Sequence, residues 1–271
     1  MRKLPYNIRM DRTSLPEHFF TGLDRGQPAE ELAERIAGAC QAFRELHDVV
    51  QLLGGTLPLP PEDRALLRQW AAGSLAEVRA AAVEALCAIE PINWQELEAW
   101  ALDEDADVRR AVLLSMETPD TTACAHRWTN EDRFIRLLLA MAERRADYPA
   151  GMALADLSRD DDLLGRIWPE MVRLLDKNEP ALNAMLLSTY FEHIIAERRW
   201  GPNSTHLRSW FTGEHEVRQR ALLIAACWMG LQAGRLGESV RALTQSPLPR
   251  IAALAQGVLD GTVDCREVME A

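Results

Sequence analysis

An eleven-residue pattern occurs three times along this chain and limits the available folds more than any other feature. Ala76-Glu-Val-Arg-Ala-Ala-Ala-Val-Glu-Ala-Leu86 aligns without gaps with Ala106-Asp-Val-Arg-Arg-Ala-Val-Leu-Leu-Ser-Met116, and His215-Glu-Val-Arg-Gln-Arg-Ala-Leu-Leu-Ile-Ala225 is a third copy. The Val-Arg pairs of the first two copies stand thirty residues apart, and so do Trp70 and Trp100; Trp128 follows after twenty-eight more, and Trp210 heads the third copy. A fixed period of roughly 20–50 residues marks a chain assembled from one supersecondary unit used repeatedly.

Each unit reads as a helical hairpin. A first helix ends at a Trp, a short turn rich in Gly, Ser, Asp or Glu follows, and a second helix starts near the Val-Arg. Ser74, Asp105 and the Thr212-Gly213 turn are expected to cap amides that a helix start would otherwise leave orphaned. The second helix carries a stripe such as Val78, Ala82, Leu86 and Ile89, at the spacing of one helical face. One hairpin cannot cover its own apolar face, so stability must come from stacking neighbours.

On this basis hairpins are predicted at about 62–89, 93–117, 120–144, 147–175, 178–211 and 214–232, with a closing pair over 235–260. In the last, Leu248-Pro-Arg-Ile-Ala-Ala-Leu254 repeats the second-helix pattern with Pro249 in place of Val, which a first helical turn tolerates. The stretch 160–200 fits the register worst. Ahead of the repeats, residues 1–27 form an irregular arm. Region 28–61 then holds a helix whose apolar positions are Leu32, Ile36, Ala39, Phe43, Leu46 and Val50. Gly54-Gly55 ends that helix, and the prolines of Thr56–Pro61 make an extended connection. Residues 62–260 are the repeat array and 261–271 a tail.

The turn acid, the Val-Arg pair and the small-apolar helix that follows resemble the HEAT-repeat family, most clearly over Asp103–Met116, Leu75–Ile89 and Gly213–Trp228. The resemblance implies an all-α fold: a right-handed α-solenoid of six to seven stacked HEAT-like hairpins with an N-terminal arm and helix. It further implies a ladder between neighbours, with Asp105 or Asp107 and the repeat arginines Arg79, Arg109 and Arg218 in structural roles. It implies a scaffold for interaction, not a reaction.

Intrinsic propensity agrees with helix throughout: Ala, Leu, Glu and Arg fill most positions and aromatic residues make up only 6%. The net charge of −11 at pH 7 sets an acidic field that opposes general binding to nucleic-acid phosphates. Cys40, Cys87, Cys124, Cys227 and Cys265 are odd in number, scattered and never in a CxxC pair, which points to a reducing, cytoplasmic setting rather than a disulfide framework or a zinc module. No basic and then apolar leader opens the chain, and the most apolar run, Ala221–Gly234, falls short of a membrane span and reads as a buried core helix.

Candidate chemistry is sparse. The acids Asp103, Glu104, Asp105 and Asp107 lack the glycine turn and terminal Glu of a calcium-binding loop and read as turn and cap residues, as does Asp160-Asp161-Asp162 ahead of the helix starting at Leu163. The histidines are dispersed, and no GxSxG, Walker A or GxGxxG pattern occurs. No cofactor or metal is therefore expected. Trp70, Trp100, Trp128 and Trp210 keep the repeat register and read as packing residues. Trp200, outside that register beside Arg198-Arg199, is an interface candidate.

Arg109, Arg110, Arg136 and Arg145 gather positive charge in the middle of an acidic chain and are candidates to line a partner-binding groove. The expected function is a non-catalytic scaffold or adaptor that captures or neutralises another protein on a concave face. A second reading is a nucleic-acid enzyme similar to the HEAT-like alkylpurine DNA glycosylases, which the acidic charge opposes.

Overall fold

The computed structural model describes residues 18–23, 26–52, 54, 56–118, 123–124, 130–198, 210, 213–231 and 236–270. Among them every regular element is helical and no strand occurs. The chain divides into two compact units, Met1–Thr129 and Asn130–Ala271.

The first unit holds α1 (Ala29–Leu52), α2 (Pro61–Ala71), α3 (Ala76–Ile89), α4 (Trp94–Ala101) and α5 (Ala106–Glu117). Two hairpins are formed, α2 with α3 and α4 with α5, within a residue or two of the predicted bounds. Helix α3 is the centre: it packs on α1, α2 and α5. Val78, Ala82, Val83, Ala85, Leu86 and Cys87 are buried on it, a band too wide for one stripe, and the alanines in it let two neighbouring helices approach closely. At about 25 cal/mol per Å² of apolar surface, each fully buried Val or Leu here contributes roughly 1.5–3 kcal/mol. Along α1 the buried set is Leu32, Ile36, Cys40 and Phe43, so Cys40 takes the place expected of Ala39. Beyond Phe43 the burial fades, and Leu52 is 87% exposed.

Phe19, Phe20 and Thr21 are fastened to this unit by one carboxylate. Asp63, in the first turn of α2, is fully buried. It accepts the Phe19, Phe20 and Thr21 backbone N–H groups at 2.7, 3.2 and 2.8 Å and the Thr21 hydroxyl at 2.7 Å. Phe20 is fully buried beside it, and Phe19 sets its ring edge on Phe43 of α1 at 5.1 Å. A buried charge is tolerated when donors surround it, as they do here.

The second unit holds α6 (Glu131–Arg145), α7 (Tyr148–Leu157) and α8 (Asp161–Leu175). A helical run follows, made of α9 (Pro180–Met185), a π-helical turn (Leu186–Phe191) and α10 (Glu192–Arg198). The unit ends with α11 (Glu216–Met229), α12 (Leu236–Leu243), α13 (Pro249–Asp260) and α14 (Cys265–Glu270). The predicted pairs at 147–175 and 235–260 correspond to α7/α8 and α12/α13. Of the pair predicted at 120–144, residues 123–124 and 130–144 are described. The range 178–211 begins with one long helical run rather than a short first helix, and 214–232 is a single helix.

Helix α11 is the hub of this unit, packing on the π turn and α10, α12, α13 and α14. Ala221 to Ala226 are all buried, so the first half of the apolar run read from sequence lies in a core helix. The stretch 261–271, read as a tail, contains α14, which docks on α11 through the fully buried Val268. Helices α6 and α8 run parallel, because ion pairs join them in the same order at both ends. Near their N-termini Arg166 meets Glu131 at 3.2 Å and also Asp132; near their C-termini Lys177 and Arg173 meet Glu143, Arg173 at 3.7 Å.

The π turn lets Leu186, Leu187, Thr189, Tyr190 and Phe191 all enter the core, where an α turn would expose part of such a run. Trp168, Tyr190, Phe191 and Trp210 form one aromatic cluster, with Trp168 stacked on Trp210 at 5.4 Å. The Tyr190 hydroxyl finds the Ser158 hydroxyl at 3.1 Å. Gly151 of α7 lies so close to Thr189 and Met185 that a β-carbon there would come within 2.3 Å of the Thr189 hydroxyl.

Candidate interaction sites

The recurring arginines build a joint between hairpins. Arg79 is the fourth residue of α3, almost buried, and its guanidinium turns back to donate to the Gly73 and Ser74 carbonyls at 3.2 and 3.0 Å. Its Nη2 reaches the next hairpin, donating to Asp103 at 2.9 Å. That bond is the main cause that holds the Arg79 guanidinium above the ordinary arginine range. Arg109, fourth in α5, repeats the first half: it donates to the Asp103 and Glu104 carbonyls, both at 2.9 Å. Carbonyls that a tight turn leaves unpaired are satisfied from the following helix.

The acid of this joint is Asp103, where Asp105 or Asp107 was expected. Asp105 is instead the N-cap of α5, accepting from the Asp107 and Val108 amides. Asp103, two residues before the cap, accepts the Asp105 amide at 2.8 Å and so is held in place for Arg79. Leu75 and His215, not Ser74 or the Thr212-Gly213 turn, occupy the N-caps of α3 and α11, with no side-chain cap bond at either.

The third copy repeats the joint one residue later than the gapless alignment places it. The fourth residue of α11 is Gln219, fully buried, and its amide donates to the Gly213 carbonyl six residues back at 2.6 Å. Its Oε1 accepts from Ser246 at 2.7 Å, and Ser246, two residues before the Leu248 cap of α13, accepts the Leu248 amide at 3.2 Å. Gln219 and Ser246 therefore stand where Arg79 and Asp103 stand. Arg218 points elsewhere, pairing with Asp176 through its Nε at 2.7 Å. In α13 the place of Val78 is taken by the fully buried Ile251, not by Pro249.

The residues of the proposed basic cluster differ in their surroundings within each unit. Arg109 is 8% exposed and committed to the turn carbonyls, whereas Arg110 beside it is exposed. Arg136 and Arg145 are both exposed on α6, but nine residues at about 100° each bring them to opposite sides of the helix. Trp70 and Trp210 are buried and Trp100 is half-buried, in keeping with packing roles. Trp128 and Trp200 lie outside the described residues.

Large apolar side chains that sequence reasoning passed over are exposed at helical spacing. On α5, Leu114 is 48% exposed one turn after Arg110; on α7, Tyr148 and Met152 are 51% and 38% exposed, also one turn apart. Trp228, near the end of α11, is 56% exposed with the His193 ring against it at 5.6 Å. Amphipathic periodicity could have exposed the first two pairs, as apolar residues set outside the buried face.

Burial pushes the thiols of Cys40 and Cys265 up to about 11 and those of Cys87 and Cys227 up to about 12, so all four are protonated at neutral pH. Among the described residues no group of three or more His, Cys, Asp or Glu side chains converges as metal ligands would. Among them, too, no helix is long and apolar enough to cross a membrane. A recess in the second unit brings together residues from α9, α11, α13 and α14, with the arginines Arg220 and Arg250 in its wall. Comparison with protein-family models, with curated proteins and with solved structures finds no match.

Proposed function

We propose that each unit is a HEAT-like stack of helical hairpins and that the protein is a non-catalytic scaffold holding another protein against its exposed helix faces. The observation that carries this reading is the recurrent joint. In both units the fourth residue of a helix satisfies the turn before it and bonds a side chain two residues ahead of the next N-cap. A joint of that kind sets one hairpin on the next, which is how a repeat array makes an extended surface. The exposed pairs Arg110–Leu114 and Tyr148–Met152 supply what a protein partner uses, a long apolar or aromatic side chain with a polar neighbour.

The test is affinity capture by the tagged full chain from its native lysate, with and without nuclease, beside an Arg110→Glu/Leu114→Asp variant and a Tyr148→Asp/Met152→Asp variant. Arg109 is left alone because it supports the fold. A stoichiometric protein that survives nuclease and is lost from at least one variant supports the scaffold. Recovery of nucleic acid alone would replace it with the glycosylase-like reading.

A further inference from the structure

The recess of the second unit has a volume of about 370 Å³, toward the small end of the roughly 300–1,000 Å³ usual for ligand pockets. Its two cations differ in their partners. Arg250 has the Glu216 carboxylate at 3.9 Å. Arg220 is half-buried, and among the described residues no carboxylate lies within ion-pairing distance and its Nε has no hydrogen-bond partner. Burial lowers the Arg220 affinity for its proton; the Glu216 carboxylate one turn earlier in α11 works against this, and Arg250 adds to it. An arginine keeps that proton regardless, so a partly desolvated charge stands there with Glu216 acting on it only from beyond ion-pairing distance, among the described residues.

Facing it, Asn183 is 4% exposed, donates to Asn178 at 3.0 Å, and leaves its own Oδ1 without a donor. Asn178 is held in the left-handed region at φ 55°, a strained conformation for a residue other than glycine. The helices α11 and α13 both begin at the recess, so two positive dipole ends add to the arginines. Leu187, Val217 and Met269 form an apolar wall.

We propose that this recess binds a carboxylate carried next to an N–H donor and an apolar side chain, as the C-terminal residue of a polypeptide presents them. The carboxylate neutralises Arg220 and shares Arg250 with Glu216. The adjoining N–H satisfies Asn183 Oδ1, and the side chain covers the apolar wall. A phosphate dianion fits less well, because the Glu216 and Glu270 carboxylates are also at the recess and a phosphate supplies no apolar body. The site itself does not depend on the scaffold reading; only the assignment of the ligand to a partner's chain end rests on it.

The test is calorimetric titration of the full chain with N-acetyl-L-leucine, with N-acetyl-L-leucinamide and with inorganic phosphate. The acid is expected to saturate with a Kd on the order of 1 mM, and the amide and phosphate to bind at least about tenfold more weakly. Arg220→Met should fold with a Tm no lower than the parent, since it removes an unpaired charge, and should lose the acid by about tenfold or more. Met269→Trp, which fills the apolar wall and leaves the arginines, should lose it too. Equal binding of acid and amide, phosphate binding as tight as the acid, no saturation by ~20 mM, or binding that survives Arg220→Met would each overturn the proposal. The acid against the amide needs no variant, so a variant that fails to fold does not blunt the test. Binding of the acid with no protein captured from lysate retains the site and removes the scaffold; the converse retains the scaffold and removes the site.

Discussion

The joint in the first unit is charged and the joint in the second is neutral, yet the two have one geometry. Arg79 and Asp103 form an ion pair of which 11% and 19% of the side chains are exposed, and Gln219 and Ser246 form a hydroxyl-to-amide bond around a fully buried amide. In both, the residue that reaches is fourth in its helix, and the residue reached lies two before a cap and accepts the cap's own amide. Backbone geometry therefore defines the joint. The side chains need only the right length and one donor and one acceptor, and the ionic version adds the risk of a stranded charge.

That contrast can be broken by mutation. The largest effect is expected from Asp103→Ala, which strands the Arg79 guanidinium in a nearly closed site and should cost about 3 kcal/mol in urea unfolding, with faster hydrogen exchange in α3 and α5. A loss below about 0.5 kcal/mol would show that Arg79 is hydrated and that the pair is ornamental. Gln219→Ala should cost about 1.5 kcal/mol, because it removes two neutral bonds and opens a small cavity, with faster exchange in α11 and α13.

The double variant Arg79→Gln/Asp103→Ser rewrites the first joint in the chemistry of the second and should cost only about 1 kcal/mol, less than Asp103→Ala alone, since the buried charge leaves with its partner. A double variant worse than the single would mean that the charge itself holds the hairpins. The smallest effect belongs to the ion pairs between α6 and α8. The hydrogen bond from Lys177, ahead of the opposing effect of burial, holds the Glu143 carboxylate below its usual range. That stability is present above the unfolded value, near 4.3, and is lost as pH falls through the folded one. Glu143→Gln should therefore lower stability at pH 7 by less than about 1 kcal/mol, given that both partners are about a third exposed, with parent and variant converging as pH falls below the folded value. A gap that stays constant with pH would remove the pair as its cause.

Some of this architecture is written locally and some is not. The first two hairpins were legible because Val78 and Val108 repeat at the start of two similar helices, and α11 because its apolar run is long. Asp103 was passed over since three aspartates lie within five positions, and which one caps depends on where the helix starts, a matter the letters alone leave open. The third copy slipped by one residue because Glu-Val-Arg matches by identity, whereas the function of Arg79 passed to a neighbouring Gln. Arg136 and Arg145 misled by being near in sequence, although their spacing already placed them on opposite sides of a helix. The recess was not legible, since Asn183, Arg220 and Arg250 come from three helices that only packing brings together. The clamp at Asp63 depends on backbone amides, which carry no sequence signature.

The π turn at Leu186–Phe191 changes the phase of the helical run that passes through it. A turn closed by i→i+5 bonds takes up one more residue than an α turn, so everything beyond it is rotated by about 100° relative to an unbroken α-helix. Any periodic reading carried through this run is out of phase after Phe191, so α10 cannot be placed by extending the pattern of α9. Deleting one residue within the turn, and so restoring α geometry, would turn α10 by about 100° against α11, on which it packs. The turn thus works as a phase-setter, deciding which face the second half of the run offers to α11.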